Sequence, residues 1–388
     1  MKTIRYPFFK TFLIGLWFSL IFLLVYGSGV GLHYRISPLL ILLSCVIIAK
    51  NKGTIGRNLI IKIFIGFIVL AIITSYHYYF NWLHRTSYLN YLCYSISGYI
   101  IAITSYSIVK NDRRMVDVLF YLMIVFFIVG IFRFFRASNQ LDYLYANTAY
   151  YYILMPLPLL LLKPQQRVFH IIALLVSTVL CILSIKRGAI IAIAIVWLVY
   201  FLSTYKQNKK SLLYVCLLLL VGGYILSNKI QISNFSESSQ RLEERFSTIE
   251  EDGGSGRTGI IESFFKHDFE DLLEIPEIFI GKGFEGTFYK YRYLSSFHND
   301  FLEVTYSYGL IGFFLLIGFY IHLFRKARML TKKHSVLQMP YMSMSLLFLI
   351  FSFVGCNFNY FNLSVPLFLS LGVLESMTSQ PSPKGKLI

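Results

Sequence analysis

Acidic side chains are scarce in this sequence and unevenly spread. Nineteen Asp and Glu stand against 36 Lys and Arg, and 15 of the 19 fall between Glu237 and Glu303. Charged residues of both signs make up only 14% of the 388 positions. A water-soluble chain carries about a quarter, so an ordinary soluble globular protein is excluded. Cysteine is sparse too. Cys45, Cys93, Cys181, Cys216 and Cys356 lie in or beside apolar runs. No CxxC pair or Cys/His cluster occurs, so neither a zinc site nor a disulfide framework is signalled. The GxxxxGK-S/T order of a P-loop is missing, and no carboxylate cluster suggests a Mg²⁺ site.

What remains is mostly apolar: 56% of residues are hydrophobic and 18% aromatic, with a mean hydropathy of +0.62. The apolar residues come in runs approaching the roughly 20 residues that cross a hydrocarbon core. Twelve such runs predict an all-α, polytopic membrane bundle. They are 12–26, 36–49, 59–76, 91–109, 115–132, 149–162, 168–185, 189–205, 212–227, 304–324, 339–355 and 361–374. The first follows Lys2, Arg5 and Lys10 and is read as a span, not a signal peptide, because no small-residue cleavage site closes it. Residues 1–227 then hold nine spans, 228–299 one large loop, and 300–388 three spans and a tail, in a single integrated membrane domain.

The positions of the basic residues orient the bundle. With both termini cytoplasmic, the inner loops carry Lys50/Lys52/Arg57, Lys110/Arg113/Arg114, Lys163/Arg167, Lys206/Lys209/Lys210 and Arg325/Lys326/Arg328/Lys332/Lys333. The short outer loops hold only Arg35, Arg85, Arg133, Arg136, Lys186 and Arg187. This matches the positive-inside rule. The net charge of +17 is therefore loop charge, and nucleic-acid binding is set aside. The acidic loop 228–299 falls on the outer side, and loops of that length usually have a function.

Within this frame a few residues could carry chemistry. Arg187 stands in a tight outward turn between two runs, where a guanidinium can bind phosphate bidentately or simply snorkel from a helix end. Arg257 sits in Gly253-Gly254-Ser255-Gly256-Arg257-Thr258-Gly259, a turn before a helix-like stretch. Exposed N–H groups and a helix start favour an anion there; an ordinary turn is the alternative. His298, where the loop re-enters the bundle, has the side chain of a general base near neutral pH, although a lone His is more often structural. Asp300 and Glu303 could orient it or act as base themselves. Gly309 and Gly312 allow close helix packing or a bend. Arg35, Arg85, Arg133, Arg136, Arg241, Arg245 and Arg292 form a weaker outward basic set, and His33, His77 and His84 read as interfacial.

Three segments, in this order and on this topology, resemble the O-antigen ligase/polymerase superfamily of bacterial envelope glycosyltransferases. The first is Ser184-Ile185-Lys186-Arg187-Gly188-Ala189 before a span. The second is Gly256-Arg257 inside the large loop. The third is Ile280-Gly281-Lys282-Gly283-Phe284, followed by His298-Asn299-Asp300-Phe301-Leu302-Glu303 and Tyr308-Gly309-Leu310-Ile311-Gly312. The motifs cover 184–312, and the span count and loop position extend the likeness along the chain.

The resemblance implies a multi-pass protein of the bacterial inner membrane that performs metal- and cofactor-independent, inverting glycosyl transfer at the periplasmic face. The donor would be a glycan on undecaprenyl diphosphate. Arg187 and Arg257 would hold the diphosphate and His298 would activate the acceptor hydroxyl. Arg136, Arg245, Arg292, Asp300 and Glu303 would line the substrate site. The His-Asn-Asp-Phe-Leu-Glu run favours an O-antigen polymerase, with a chain-length regulator as partner. An O-antigen ligase acting on lipid A-core is the alternative. A polysaccharide or lipid transporter is the reading from another class, against which stand the missing repeated halves and the near absence of ionisable residues at mid-span.

Overall fold

The computed structural model describes residues 5–27, 31–51, 58–79, 85–140, 149–163, 165–184, 186–205, 262, 264–283, 297–333, 335–355, 357–358 and 361–379. Most of these residues are helical, with no strand among them. In chain order the helices are α1 (Arg5–Tyr26), α2 (Leu32–Lys50), α3 (Leu59–Tyr79), α4 (Arg85–Asn111), α5 (Met115–Gln140), α6 (Tyr150–Leu154) and α7 (Leu157–Leu160). They continue with α8 (Arg167–Leu183), α9 (Arg187–Tyr205), α10 (Phe269–Leu272), α11 (Glu277–Ile280), α12 (Asp300–Lys332), α13 (Gln338–Val354) and α14 (Phe361–Ser379). A π-helical turn, Phe264–Asp268, precedes α10. Among the described residues five helices are long and apolar enough to cross a membrane, and six shorter apolar ones accompany them. The expected run 212–227, and most of the expected loop 228–299, lie outside the described residues.

One expected span is not a continuous helix. Residues 149–162 form α6 and α7 with a break at Met155-Pro156. Proline has no N–H to donate and its ring crowds the carbonyl four residues back, so an apolar run of sufficient length still fails as one helix. Both halves are buried.

The packing is that of a bundle that carries many large apolar side chains on its outside. On α5 the exposed residues Val118, Tyr121, Val125, Ile128 and Phe132 recur at helical spacing. They form an apolar stripe facing outward, as a helix solvated by lipid presents. Polar groups are instead gathered on α4, which is enclosed by its neighbours: 94% of its span is buried. Its Ser95, Ser97, Thr104 and Ser105 hydroxyls donate to carbonyls three or four residues back. Ser105 also reaches the Leu369 carbonyl of α14 at 3.3 Å. Small hydroxyl residues let helices approach closely, which is why a run with so many serines becomes the central helix.

Among the described residues, members of the basic inter-helix segments gather at one end of the bundle. Asn111 Nδ2 donates to Asn51 Oδ1 (2.8 Å), joining the ends of α2 and α4. Lys163 pairs with Asp117 at 2.6 Å. The Glu375 carboxylate of α14, 1% exposed, takes four side-chain partners there: Asn58 Nδ2 (2.8 Å), Lys326 Nζ (2.9 Å), His322 Nε2 (3.1 Å) and the Tyr341 hydroxyl (2.5 Å). The start of α3 and helices α12, α13 and α14 are thus fastened to one buried carboxylate. The sequence reading ends its last span at residue 374 and passes over Glu375; in the structure the helix continues to Ser379 and buries it.

Candidate functional site

The opposite end of the bundle is built around the start of α12. Asn299 caps the helix: its side-chain oxygen accepts from the Phe301 and Leu302 N–H groups at 2.9 and 3.3 Å, satisfying donors that a helix start leaves open. Asp300 and Glu303 follow in the first turn, where negative charge opposes the positive end of the helix dipole. His298, just before the cap, is exposed and has φ of 49°. Non-glycine residues in this left-handed region are uncommon, and they concentrate at functional sites.

Asp300 is fully buried, and its carboxylate faces the elbow between α13 and α14. Ser352 Oγ donates to Oδ2 at 2.5 Å, the Asn357 N–H to Oδ2 at 3.0 Å, and the Phe358 N–H to Oδ1 at 3.1 Å. Glu303, also buried, accepts from the Phe297 N–H at 3.1 Å. Two residues expected in the substrate site therefore use carboxylate oxygens to secure backbone beside it. Phe301 packs in a tilted arrangement against Phe353, with ring centroids 5.0 Å apart, and closes the same joint with apolar contact.

The end of α13 in turn receives α9. A Cβ placed on Gly188 would stand 2.9 Å from Val354 Cγ2, so only glycine lets the start of α9 pack this tightly. Arg187, the first residue of α9, is half-buried at that junction. The Arg187 and His298 motifs, separated by more than a hundred residues in sequence, thus meet at one helix end. Arg187 is one residue from the contact with Val354, and His298 is two residues from the carboxylate that holds Ser352.

The glycine motifs also come together. Helix α12 is interrupted at Gly309, with φ 62° and ψ −162°, a combination open essentially to glycine alone. Gly281, with φ 78°, lies backbone to backbone against this break. The Lys282 N–H donates to the Tyr306 carbonyl at 2.7 Å and the Gly283 N–H to the Ser307 carbonyl at 2.9 Å. The break frees carbonyls that a regular helix would occupy, and the glycine-rich strand of chain occupies them.

Other expected residues fall elsewhere or beyond view. Arg136 is exposed near the end of α5. Arg133 of the same helix donates to the Val25 carbonyl at 3.1 Å and lies over the Tyr152 ring at 4.7 Å, which makes it a packing residue between α1, α5 and α6. Arg257, Arg245, Arg292 and Arg241 lie outside the described residues. Ser352 and Asn357 were not singled out from sequence; a lone Ser and Asn at the end of an apolar run carry no local signal. Among the described residues no three His, Cys, Asp or Glu side chains are grouped as a metal site.

Fold and site together define an all-helical chain with five helices able by length and composition to cross a membrane, and with polar clusters at both ends. No protein-family model and no curated protein matches it.

Proposed function

We propose that this chain is a membrane glycosyltransferase that uses a polyprenyl-diphosphate-linked glycan and works at the end of the bundle opposite the basic loops, the periplasmic face. The observation that carries the reading is the meeting of the Arg187 and His298 segments at the α13 terminus. In this reading the acceptor hydroxyl oxygen attacks the anomeric carbon, the bond from that carbon to the diphosphate oxygen breaks, and His298 takes the hydroxyl proton. Charge grows on the leaving diphosphate, so fixed cations stabilise the transition state more than the ground state. Arg187 supplies one at a helix start, where the dipole also favours an anion, and Arg257 the other.

The polymerase is the preferred form, with a second lipid-linked repeat unit as acceptor; ligation to lipid A-core is the alternative. Replacing Arg187, Arg257 or His298 singly by Ala should abolish long glycan chains while the protein remains in the membrane. A normal lipopolysaccharide ladder from all three variants would end the proposal. In a deletion strain, single repeat units retained on the core indicate the polymerase, and bare core indicates the ligase.

One observation favours a second reading. The interruptions at Pro156 and Gly309 give two broken apolar helices, an arrangement that transporters use at their binding sites. Transport without transfer predicts that purified protein elongates no lipid-linked glycan in detergent, whereas the transferase does.

A further inference from the structure

Residues 264–283 precede α12 within a segment that its acidity assigns to water. Their contacts tell otherwise. One face is anchored: Phe264 and Leu272 are buried with Phe297 and Tyr306, and α11 packs on α12 and α3. The opposite face is exposed and mostly apolar, with Lys266 and Glu274 the charged residues among its described exposed side chains. Phe265 is 59% exposed, Leu273 53%, Ile275 81% and Phe279 49%. The Phe265 and Phe269 rings lie together, with centroids 6.0 Å apart, so these two share a side.

The depth of this face follows from α12. Phe324 is the last residue before Arg325 and Lys326. About 20 residues at roughly 1.5 Å each cross a hydrocarbon core of about 30 Å, and counting back from Phe324 reaches Thr305. Tyr306, against which the anchored face packs, is then at the margin of the core. Gly309, which meets Gly281 and the Phe279 backbone, is about 6 Å inside it. Non-helical backbone at that depth requires internal hydrogen bonds, and the Lys282 and Gly283 N–H groups have them on the Tyr306 and Ser307 carbonyls. Below the crossing, the exposed Ile311 and Phe314 of α12 and the exposed Val69 and Ile72 of α3 continue the apolar surface. At the other end of the segment, the exposed Glu262–Lys266 pair, 2.6 Å apart, marks where water begins.

We infer that residues 264–283 form an elbow seated in the bilayer leaflet farther from the basic loops, with Phe265, Leu273, Ile275 and Phe279 against lipid acyl chains. The partner is the hydrocarbon of the bilayer, because Phe265, Leu273, Ile275 and Phe279 are large exposed groups of the elbow. The exposed Lys266 and Glu274 then lie at the headgroup margin, since charge is costly in the core. This inference does not rest on the chemistry proposed above.

Full-length protein carrying Phe265→Trp, Ile275→Trp or Phe279→Trp, read as the increment over the parent chain in phosphatidylcholine nanodiscs, tests it. Phe314→Trp serves as the lipid-facing reference and Val336→Trp as the water-facing one. Acyl-brominated phosphatidylcholine should quench the three new tryptophans to within about twofold of the Phe314→Trp signal, and iodide should quench them less than Val336→Trp. Quenching by iodide at the Val336→Trp level, without bromolipid quenching, would place the elbow in water and overturn the inference. Quenching by neither agent would mean a protein partner, such as a second copy, and would overturn it equally. Should the tryptophan variants misfold, Ile275→Cys gives a second measure. A bulky hydrophilic maleimide should label it at least tenfold more slowly in membranes than in detergent, and equal rates would sink the idea.

Discussion

A carboxylate removed from water loses several kcal/mol of hydration unless donors replace it. Asp300 has one hydroxyl and two backbone N–H groups for the purpose. Hydrogen bonds to a charged group contribute about 1.5–3 kcal/mol each, but their sum is limited because the three share one ion. Asp300→Asn exchanges an acceptor oxygen for an NH₂ group that must face a donor, and about 2–4 kcal/mol of destabilisation is expected. Ser352→Ala removes only the hydroxyl and should cost about 1–2 kcal/mol. Thermal unfolding in detergent, followed by intrinsic fluorescence, should rank the midpoints as parent, then Ser352→Ala, then Asp300→Asn. An unchanged midpoint for Asp300→Asn would mean that the elbow between α13 and α14 is held by something else. The sequence shows Asp300 and His298 as neighbours, but it does not show that the carboxylate turns toward residues 352–358. That direction is set by side-chain packing of Phe301 and Phe353, which no local pattern encodes.

At the level of elements, hydrophobic runs locate helices well because about 20 apolar residues have few alternatives to spanning as a helix. Helices α2, α8 and α9 overlie their expected runs with shifts of a few residues, and α5 begins where expected but continues to Gln140, well past the expected end at 132. Where the reading fails, it fails on backbone chemistry. Residues 149–162 are apolar throughout yet split at Pro156, because hydropathy does not register a missing N–H. The bend permitted by Gly309 is real, but its partner, Gly281, is legible only once the two segments are seen in contact. Gly309→Ala should be costly. The required φ and ψ are worth about 1–3 kcal/mol against a non-glycine residue, and the new Cβ would strike the backbone of Phe279 and Ile280. Faster hydrogen exchange at the Lys282 and Gly283 amides, together with a lower melting temperature, is the expected outcome. Protection equal to the parent would show that the break is not what holds the elbow.

Across the whole molecule the two ends differ in kind. One holds basic loops and the Glu375 knot; the other holds Arg187, His298 and the Asp300 joint. If the basic end is cytoplasmic, a cysteine at Val336, exposed in the turn between α12 and α13, should react with a membrane-impermeant maleimide only after cells are opened. Labelling in intact cells would invert the proposed orientation. The knot itself predicts non-additivity. Removing one member of a buried ion pair costs about 3–5 kcal/mol, whereas replacing both is far milder, so Lys326→Met with Glu375→Gln should be more stable than Glu375→Gln plus Lys326→Met summed separately. A double mutant that equals the sum would deny the coupling. The sequence could not announce this knot, since Asn58 and Glu375 are joined across 317 positions. Its consequence lies in biogenesis. Each partner of Glu375 precedes it in the chain, so Asn58, His322, Lys326 and Tyr341 have already been synthesised when α14 leaves the ribosome. A carboxylate unwelcome in lipid by itself finds its donors waiting. Partition of α14 from the insertion machinery into the membrane should therefore depend on correct assembly of the helices before it.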